Sequence, residues 1–371
     1  MTAPTPGRPV RVALDLLGGD GAPEVVADAA ALLLGDPGVL GDPGVLGEPE
    51  LLGHSEHQPP DVHLVLVGPP DLAASLLAVR GLDPDGPRLS VVPAAAGVGM
   101  ADDPVHAVRA HRDVSVRVAA DLVASGRADA TVTAGHTGAA LAAGLFCLGR
   151  LRGVTRPALA VVLPALRGPV VLLDAGAGTS ATPDLLGQFA LAGTAYAQAL
   201  GLAAPRVGLL TIGSEPGKGD TLRRDADPLL ATLPITYVGP VEGHDVALGG
   251  VADVVVTDGF TGNVALKAVE GAVAWSAERL GSAYGDVGTA RRVVREVATG
   301  DFAGGMLLGV RGVSVVGHGA TTPDALAACV GLAVRAVRRD LVARTGTLLE
   351  DLVRLRRGAA GLPPAVGGVT A

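Results

Sequence analysis

The stretch Thr131-Val-Thr-Ala-Gly-His-Thr-Gly-Ala-Ala-Leu-Ala-Ala-Gly144 predicts a strand, a tight turn and a helix in direct succession. The apolar, β-branched residues at 128–133 are typical of a buried strand, and small helix-forming residues follow the turn. A glycine-rich turn at the start of a helix leaves backbone N–H groups free, at the positive end of the helix dipole. The stretch therefore predicts an anion site, and the alternative is a plain tight turn without a ligand.

The same alternation of apolar runs and helical patterns continues along most of the chain. The helical patterns cover residues 23–34, 71–79, 104–124, 137–148, 183–200, 262–280 and 323–344. The predicted strands cover residues 10–14, 62–67, 89–92, 128–133, 159–163, 170–173, 207–212, 235–238, 254–257 and 313–316. Because these strands are continuously apolar, we expect helices on both faces of the sheet. The predicted fold class is α/β, a doubly wound α/β/α sandwich with a largely parallel sheet.

The composition fits one large domain. The chain has 371 residues, of which 49% are hydrophobic, and its mean hydropathy is +0.43, enough for a large core. We assign residues 10–345 to a single α/β domain, residues 1–9 to a flexible N-terminus and residues 346–371 to a frayed tail. Within the domain, Gly35-Asp-Pro-Gly-Val-Leu40 repeats as Gly41-Asp-Pro-Gly-Val-Leu46, so residues 35–60 are expected to form a mobile surface loop.

Charge, hydropathy and cysteine content narrow the functional classes. No apolar run reaches the roughly 20 residues that a membrane-spanning helix needs, and the N-terminus lacks the apolar core of a signal peptide, which predicts a cytoplasmic protein. A net charge of −8 and 2% aromatic residues argue against nucleic acid as a partner. The two cysteines, Cys147 and Cys329, are expected to be buried core residues. No cofactor and no metal site is predicted.

Five predicted strand ends carry glycine-rich or polar turns. They are Asp15 with Gly18-Gly19-Asp20, then Gly135-His136-Thr137-Gly138, Asp174-Ala-Gly-Ala-Gly178-Thr179, Gly213-Ser-Glu-Pro-Gly217-Lys218-Gly219 and Asp258-Gly-Phe-Thr-Gly-Asn263. Ligands gather at the carboxyl ends of parallel strands, so turns that share one edge of the sheet would line one cleft. Backbone donors, a lysine and a few carboxylates in such a cleft suit a phosphate group.

Familiar nucleotide and hydrolase motifs are incomplete or missing. The segment from Gly213 to Lys218 resembles a P-loop, but three residues separate its glycines and Gly219 replaces the magnesium-binding hydroxyl residue. Residues 176–181 match a dinucleotide-binding turn in form, yet the helical pattern begins only near Pro183. The chain has no Gly-x-Ser-x-Gly elbow and no His-Glu-x-x-His pair.

A series of motifs resembles the bacterial phosphate acyltransferase family, in order, over residues 10–339. The matching blocks are Val12-Ala-Leu-Asp-Leu-Leu-Gly-Gly-Asp20, Ser115-Val-Arg-Val-Ala119, Thr133-Ala-Gly-His-Thr-Gly-Ala139, Arg156-Pro-Ala-Leu-Ala160, Gly208-Leu-Leu-Thr-Ile-Gly213, Glu215-Pro-Gly-Lys-Gly219, Thr257-Asp-Gly-Phe-Thr-Gly-Asn-Val-Ala-Leu-Lys267, Leu307-Leu-Gly-Val-Arg-Gly312 and Gly317-His-Gly319. The resemblance implies a homodimer with a fold similar to isopropylmalate dehydrogenase and phosphotransacetylase. It also implies transfer of an acyl group from acyl-acyl carrier protein to inorganic phosphate, for a membrane glycerol-3-phosphate acyltransferase, and a cytoplasmic protein that can lie peripherally at the membrane.

The resemblance marks positions, and chemistry suggests a role for each. Candidate catalytic residues are the cations Lys218 and Lys267, Asn263 as a donor to the carbonyl oxygen, and Asp258, which could orient Lys267 or accept a proton. Candidate phosphate-binding residues are Gly135, His136, Thr137, Gly138, Gly217 and Gly219, and Asp15, Asp20 and Asp174 are expected in the same cleft. The alternatives are a surface lysine at Lys267 and a turn-forming aspartate at Asp174.

Acyl carrier protein is acidic, so a basic patch would have to bind it. Arg150, Arg152 and Arg156 form one candidate patch, and Arg291, Arg292 and Arg295 form another; the alternative in each case is a solvated surface.

This chain departs from the family pattern in three places. His136 replaces an asparagine, Gly178 and Ser180 fall where an asparagine-centred stretch is common, and the segment between Glu270 and Met306 is short. The changes at His136 and Gly178 keep open a non-catalytic relative that binds acyl carrier protein or phosphate. The similar fold keeps open a second alternative, a phosphotransacetylase-like enzyme acting on short acyl-coenzyme A.

Overall fold

The computed structural model describes residues 8–35, 61–215, 217–298, 304–318 and 321–359. Most of the predicted N-terminal segment, nearly all of the predicted loop at 35–60 and the last twelve residues of the predicted tail lie outside these ranges.

Eleven strands and twelve α-helices make up the described fold. The strands are β1 (Val10–Asp15), β2 (Val62–Gly68), β3 (Leu89–Pro93), β4 (Ala130–Thr133), β5 (Ala158–Leu163), β6 (Val170–Leu173), β7 (Arg206–Leu210), β8 (Thr236–Val241), β9 (Val254–Val256), β10 (Gly304–Leu308) and β11 (Val313–Gly317). The helices are α1 (Glu24–Leu34), α2 (Pro70–Val79), α3 (Pro104–Ala110), α4 (Ser115–Ala124), α5 (Thr137–Ala143), α6 (Pro183–Ala199), α7 (Thr221–Leu230), α8 (Gly243–Leu248), α9 (Gly259–Tyr284), α10 (Val287–Ala298), α11 (Pro323–Arg338) and α12 (Leu341–Ala359). A π-helical turn, Gly144–Leu148, extends α5.

All of these strands belong to one sheet, in the order β3-β2-β1-β4-β11-β10-β5-β6-β9-β7-β8. Most neighbours are parallel, but β10 is antiparallel to both β11 and β5, and β5 is antiparallel to β6. Three successive reversals mean that β6, β9, β7 and β8 run opposite to β1, β2, β3, β4, β11 and β5. The predicted α/β/α sandwich with a largely parallel sheet is confirmed.

The strands are apolar on both sides because helices cover both faces of the sheet. Along β1, Val12 and Leu14 face the core formed with α1, α2, α6 and α11, while Ala13 faces α3, α4 and α5 on the opposite side. Beside β6, on the face that also carries Ala13, a separate hydrophobic cluster includes Leu266 of α9 and Leu172 of β6. On this second face, α5 and α9 therefore flank the middle of the sheet, where β10 and β5 lie.

Several elements differ from the patterns that predict them. The helical pattern at 104–124 is two helices, because the segment between them pairs with the chain after β3 through a bridge from Ala96 to Val114. The pattern at 323–344 is also broken, at Asp340, whose φ of 55° is left-handed. Helix α12 then continues through the segment from 346 that is predicted to fray, and Leu349 is buried there. Strand β10 has no predicted counterpart, since it begins with two glycines.

Candidate active site

The sequence predicts that the five glycine-rich turns lie in one cleft, at one edge of the sheet. In the structure they lie at two opposite edges. The turns after β1 and β4 lie at one edge, which we call the first edge. The turns after β6, β7 and β9 lie at the other, the second edge, because the three antiparallel pairings reverse the direction of these strands. The expectation of a single row of turns is therefore wrong.

The lateral separation of these turns decides which of them can share a ligand. Strands β4 and β7 are six strand positions apart in the sheet, which is about 29 Å at about 4.8 Å per strand. Gly135 and Gly138 follow β4, whereas Gly217 and Gly219 follow β7. One phosphate cannot contact both pairs within a protomer, so the predicted phosphate-binding set divides into two groups.

At the first edge, Asp15 shapes the turn. Its carboxylate is buried and accepts a 2.7 Å hydrogen bond from the Thr133 hydroxyl and one of 3.1 Å from the Leu17 amide. Burial raises the pKa of Asp15 despite these hydrogen bonds. A Cβ atom at Gly18 would lie 2.6 Å from the Thr133 hydroxyl, so glycine is required there. Asp20, also predicted in the cleft, is exposed at this edge.

The turn from Gly135 to Gly138 already uses two of its amides. The Gly135 amide donates to the Thr133 hydroxyl at 3.1 Å, and the Gly138 amide donates to His136 Nδ1 at 3.0 Å. His136 is thus the N-cap of α5, in the role that an asparagine can also fill, and the accepting Nδ1 places a neutral ring's proton on Nε2. Thr137 begins the helix and is exposed. This turn offers an anion fewer free donors than the sequence predicts.

The cap at His136 gives a stability prediction. His136→Ala should lower the free energy of unfolding by about 1 kcal/mol, because the Gly138 amide loses its acceptor. His136→Asn, the matched control, should restore the cap to within a few tenths of a kcal/mol. Urea denaturation of both variants measures the difference. Equal stability of the alanine variant and the parent would show that the His136 contact contributes nothing to folding.

Lys267 lies toward the first edge, although its helix begins at the second. Its Nζ is 2.7 Å from Glu270 Oε2 and 3.3 Å from His318 Nε2. His318 follows β11, the parallel neighbour of β4, so Lys267 approaches the edge that carries Gly135. The expectation that Asp258 orients Lys267 is wrong, because Asp258 has a different cationic partner.

At the second edge, the Asp174 carboxylate fills the loop that follows β6. It accepts hydrogen bonds from four backbone amides, of Leu159, Gly176, Ala177 and Gly178, at 2.8–3.0 Å. The residue is 1% exposed, and burial raises its pKa despite the four donors. The amides that the dinucleotide-like turn would present to a phosphate are therefore occupied by a side chain of the same loop.

Close glycine contacts join this loop to the start of α9. A Cβ atom at Gly176, where φ is 137°, would lie 3.0 Å from Asn263 Nδ2, and one at Gly178 would collide with Arg156 Nη1. Asn263 donates from Nδ2 to the Ala175 carbonyl at 3.2 Å and is otherwise exposed. Asn263 and the Arg156 guanidinium thus lie against the same loop.

Asp258 is the N-cap of α9 and is paired with a buried arginine. It accepts 2.9 Å and 2.8 Å hydrogen bonds from the Thr261 amide and hydroxyl, and an ion pair joins it to Arg223 of α7. Burial favours a raised pKa, but the Thr261 hydrogen bonds and the arginine hold the pKa of Asp258 below its usual value. Asp258 is consequently a structural anion and a weak base, contrary to its predicted role.

Next along the second edge, a small cavity lies beside Lys218. Its lining includes Thr211, Gly217, Lys218, Arg223 and Arg224. The Thr211 hydroxyl is buried there without a hydrogen-bond partner. A Cβ atom at Gly219, where φ is 97°, would lie 2.6 Å from that hydroxyl, which explains the glycine. Lys218 is exposed at the rim.

The arginines predicted to bind acyl carrier protein do not form one patch. Arg150 folds back to donate to the Thr155 carbonyl at 2.6 Å, Arg152 is exposed, and Arg156 points to the second edge. In the second candidate patch, the side chains of Arg291 and Arg295 lie outside the described residues.

Neither cysteine is suited to nucleophilic catalysis. Burial raises the pKa of both thiols to about 12, so Cys147 and Cys329 stay protonated at neutral pH.

Sequence reasoning missed two functional neighbours, Arg223 and Gln188. Arg223 belongs to α7, which contains Pro228 and therefore gave no clear helical pattern; Asp220, three residues earlier, is the N-cap that could have revealed it. Gln188 lies within a run of buried residues of α6 and is 2% exposed. An amide between the apolar residues Leu186 and Phe189 is the signal that marks it.

Solved structures of similar fold include two phosphotransacetylases. The EutD phosphotransacetylase from Staphylococcus aureus superimposes with a TM-score of 0.57 at 15% identity, over 89% of this chain and 94% of that chain. A phosphotransacetylase from Streptococcus pyogenes gives a TM-score of 0.57 at 14% identity, over the same shares of the two chains. At these identities the likeness concerns the fold alone, and it defines a protein of the α/β/α sandwich class.

Relatives of much higher identity define the family. The phosphate acyltransferase of Desulforamulus reducens is 38% identical over 358 residues, covering 92% of this chain and 98% of that protein. Its namesake from Thermus thermophilus is 40% identical over 355 residues, covering 92% and 99%. A family model described as "Fatty acid synthesis protein" matches residues 50–344. This chain belongs to that family.

Proposed function

We propose that this protein is a phosphate acyltransferase that moves a fatty acyl group from acyl-acyl carrier protein to inorganic phosphate. Relatives named phosphate acyltransferase align over nearly the whole chain, which supports the reaction class. The observation that carries the site is the placement of Asn263, Lys218 and Arg156 at the second edge, each beside a glycine-rich loop.

The reaction needs no covalent enzyme intermediate. An oxygen of HPO₄²⁻ attacks the thioester carbonyl, the C–O bond forms, and the C–S bond breaks as the tetrahedral intermediate collapses. The proton of the phosphate passes to the departing thiolate, so the products are the acyl phosphate dianion and a thiol. The protein has to hold phosphate beside the carbonyl and stabilise the oxyanion.

The second edge offers a group for each task. Lys218 provides a cation for phosphate, and Asn263 has a second amide hydrogen that can donate to the carbonyl oxygen. Lys267 lies four residues after Asn263, on the same side of α9. A long acyl donor that extends along this helix therefore passes Lys267. The Arg223–Asp258 pair fixes the start of that helix.

The activity is tested with purified protein, acyl-acyl carrier protein of long chain length and inorganic phosphate, trapping acyl phosphate with hydroxylamine. We expect phosphate-dependent hydroxamate from the parent and at least a tenfold lower kcat/KM for Lys218→Ala. Arg127→Ala, an exposed arginine that precedes β4 and lies three strand positions from β5, should match the parent. Turnover of short acyl-coenzyme A alone would indicate a phosphotransacetylase-like enzyme, and carrier binding without turnover would indicate a non-catalytic relative.

We also propose a homodimer that supplies acyl phosphate to a membrane glycerol-3-phosphate acyltransferase. Trp275, Leu280 and Tyr284 of α9 are 66%, 57% and 82% exposed, which is a large apolar surface for one helix. Among the helices that the structure describes, none is both long and apolar enough to cross a membrane. Light scattering of the purified protein gives the oligomeric state, and a monomer at micromolar concentration contradicts the dimer.

A further inference from the structure

We propose that Arg156 binds the phosphate group that attacks the thioester, and that the buried amide of Gln188 positions it. This inference rests on the proposed function and assigns Arg156 a different role from the carrier-protein contact that the sequence suggests.

The first step is the placement of the Arg156 backbone. Gln188 Oε1 accepts a 2.7 Å hydrogen bond from the Thr155 amide, and its Nε2 donates to the Arg156 carbonyl at 2.6 Å. Gln188 is 2% exposed in a helix whose neighbouring residues are buried and apolar, so an unpaired amide there would be costly. Its two hydrogen bonds hold Thr155 and Arg156, shortly before β5, in a defined position.

The second step is the state of the guanidinium. Among the residues that the structure describes, Arg156 has no ion pair, whereas Arg11, Arg80, Arg206 and Arg223 each have a carboxylate partner. The side chain is partly buried, and its Nη1 occupies the space that a Cβ atom of Gly178 would need. A guanidinium that is held in place but lacks an anion of its own chain is suited to an external anion.

The third step is the chemistry of that anion. Strands β5, β6 and β9 are consecutive in the sheet, so Arg156 before β5 and Asn263 after β9 are two strand positions apart, about 10 Å at the backbone. An arginine side chain spans most of that distance. Its planar fork of donors binds phosphate in a bidentate manner, while the nearby Asn263 amide meets the carbonyl oxygen. The geometry thus places a phosphate group beside the reacting carbonyl.

The test separates KM for inorganic phosphate from KM for acyl-acyl carrier protein. Arg156→Ala should raise KM for phosphate 10- to 100-fold with the donor KM unchanged, and Arg156→Lys should give a smaller increase because the fork is lost. Gln188→Met, of similar volume, should raise the phosphate KM several-fold without changing donor affinity. Arg127→Ala is the matched control, and unfolding midpoints verify that each variant is folded.

The same KM values distinguish a site for inorganic phosphate from a site for the phosphodiester of the carrier's prosthetic group. If Arg156→Ala raises only the donor KM, the residue binds the carrier or the phosphodiester of its prosthetic group, and the proposal is overturned. Calorimetric titration with inorganic phosphate gives an answer independent of turnover. Binding by the parent that is lost in Arg156→Ala supports the site even if no acyl phosphate forms, and equal binding by the two proteins refutes it.

Discussion

Arg223→Met is expected to destabilise the fold by about 3–5 kcal/mol, because it leaves the carboxylate of Asp258 buried without its cation. The side chains of the pair are 10% and 9% exposed. Arg223 also donates to the Thr257 hydroxyl at 2.9 Å and to the Leu210 carbonyl at 3.3 Å, so one side chain ties α7, β7 and the start of α9 together. Urea denaturation measures the loss as a lower midpoint at an unchanged slope.

Arg224→Met is the matched control, since the neighbouring arginine is exposed and bonds only to Gly219 and Thr221 in the described structure. It should change the free energy of unfolding by less than about 0.5 kcal/mol. Asp258→Asn in the Arg223→Met background should recover part of the loss by removing the unpaired charge. Equal effects of the two arginine substitutions would mean that the buried pair is not a stabilising contact.

The pair also predicts the direction of a pH effect. The pKa of Asp258 is lowered in the folded state, so its contribution to stability is complete above the unfolded value of about 4 and is lost as pH falls through the lowered folded value. The parent should therefore lose stability in acid more steeply than Arg223→Met, whose Asp258 has no cation. Unfolding free energies from pH 7 to pH 3 test this slope.

Asn263→Ala is expected to reduce kcat by a factor of about 10² to 10³, the usual cost of removing one donor to a developing oxyanion. The residue is exposed and donates one amide hydrogen to the Ala175 carbonyl, so its removal costs that carbonyl one hydrogen bond, about 1 kcal/mol, and the variant should stay folded. The measurement is the rate of hydroxamate formation at saturating acyl donor and phosphate.

Val264→Ala controls for a change in the α9 surface, because Val264 is the next residue and is 55% exposed. Its kcat should stay within twofold of the parent. If Asn263→Ala retains full kcat with a raised KM for one substrate, Asn263 binds that substrate in the ground state and does not stabilise the transition state.

Local sequence patterns were sufficient to predict the layers of the fold. The runs at 10–14 and 170–173 are strands, because runs rich in valine and leucine suit a sheet that is covered on both faces. The glycines after them mark turns, because Gly19 and Gly176 have positive φ values. The residues at these turns could be named before the structure, but their roles could not, since Asp174 and His136 satisfy backbone amides of their own loops.

Contacts between distant segments lay beyond such patterns. Arg223 and Asp258 are 35 residues apart, and Gln188 reaches back 32 residues to Arg156, so no local periodicity connects them. Their helices had to be packed on the sheet before the hydrogen bonds could be seen.

The sequence alone determined that this protein is a layered α/β/α sandwich with glycine-rich strand ends, because alternation, turn chemistry and family motifs are local properties of the chain. The tertiary structure decided which strand ends lie together. Strand β10 inserts antiparallel between β11 and β5, and β6 then reverses against β5. That order depends on pairing between segments far apart in sequence, and it places the Gly135 turn at the edge opposite to the one that carries Arg156, Lys218 and Asn263.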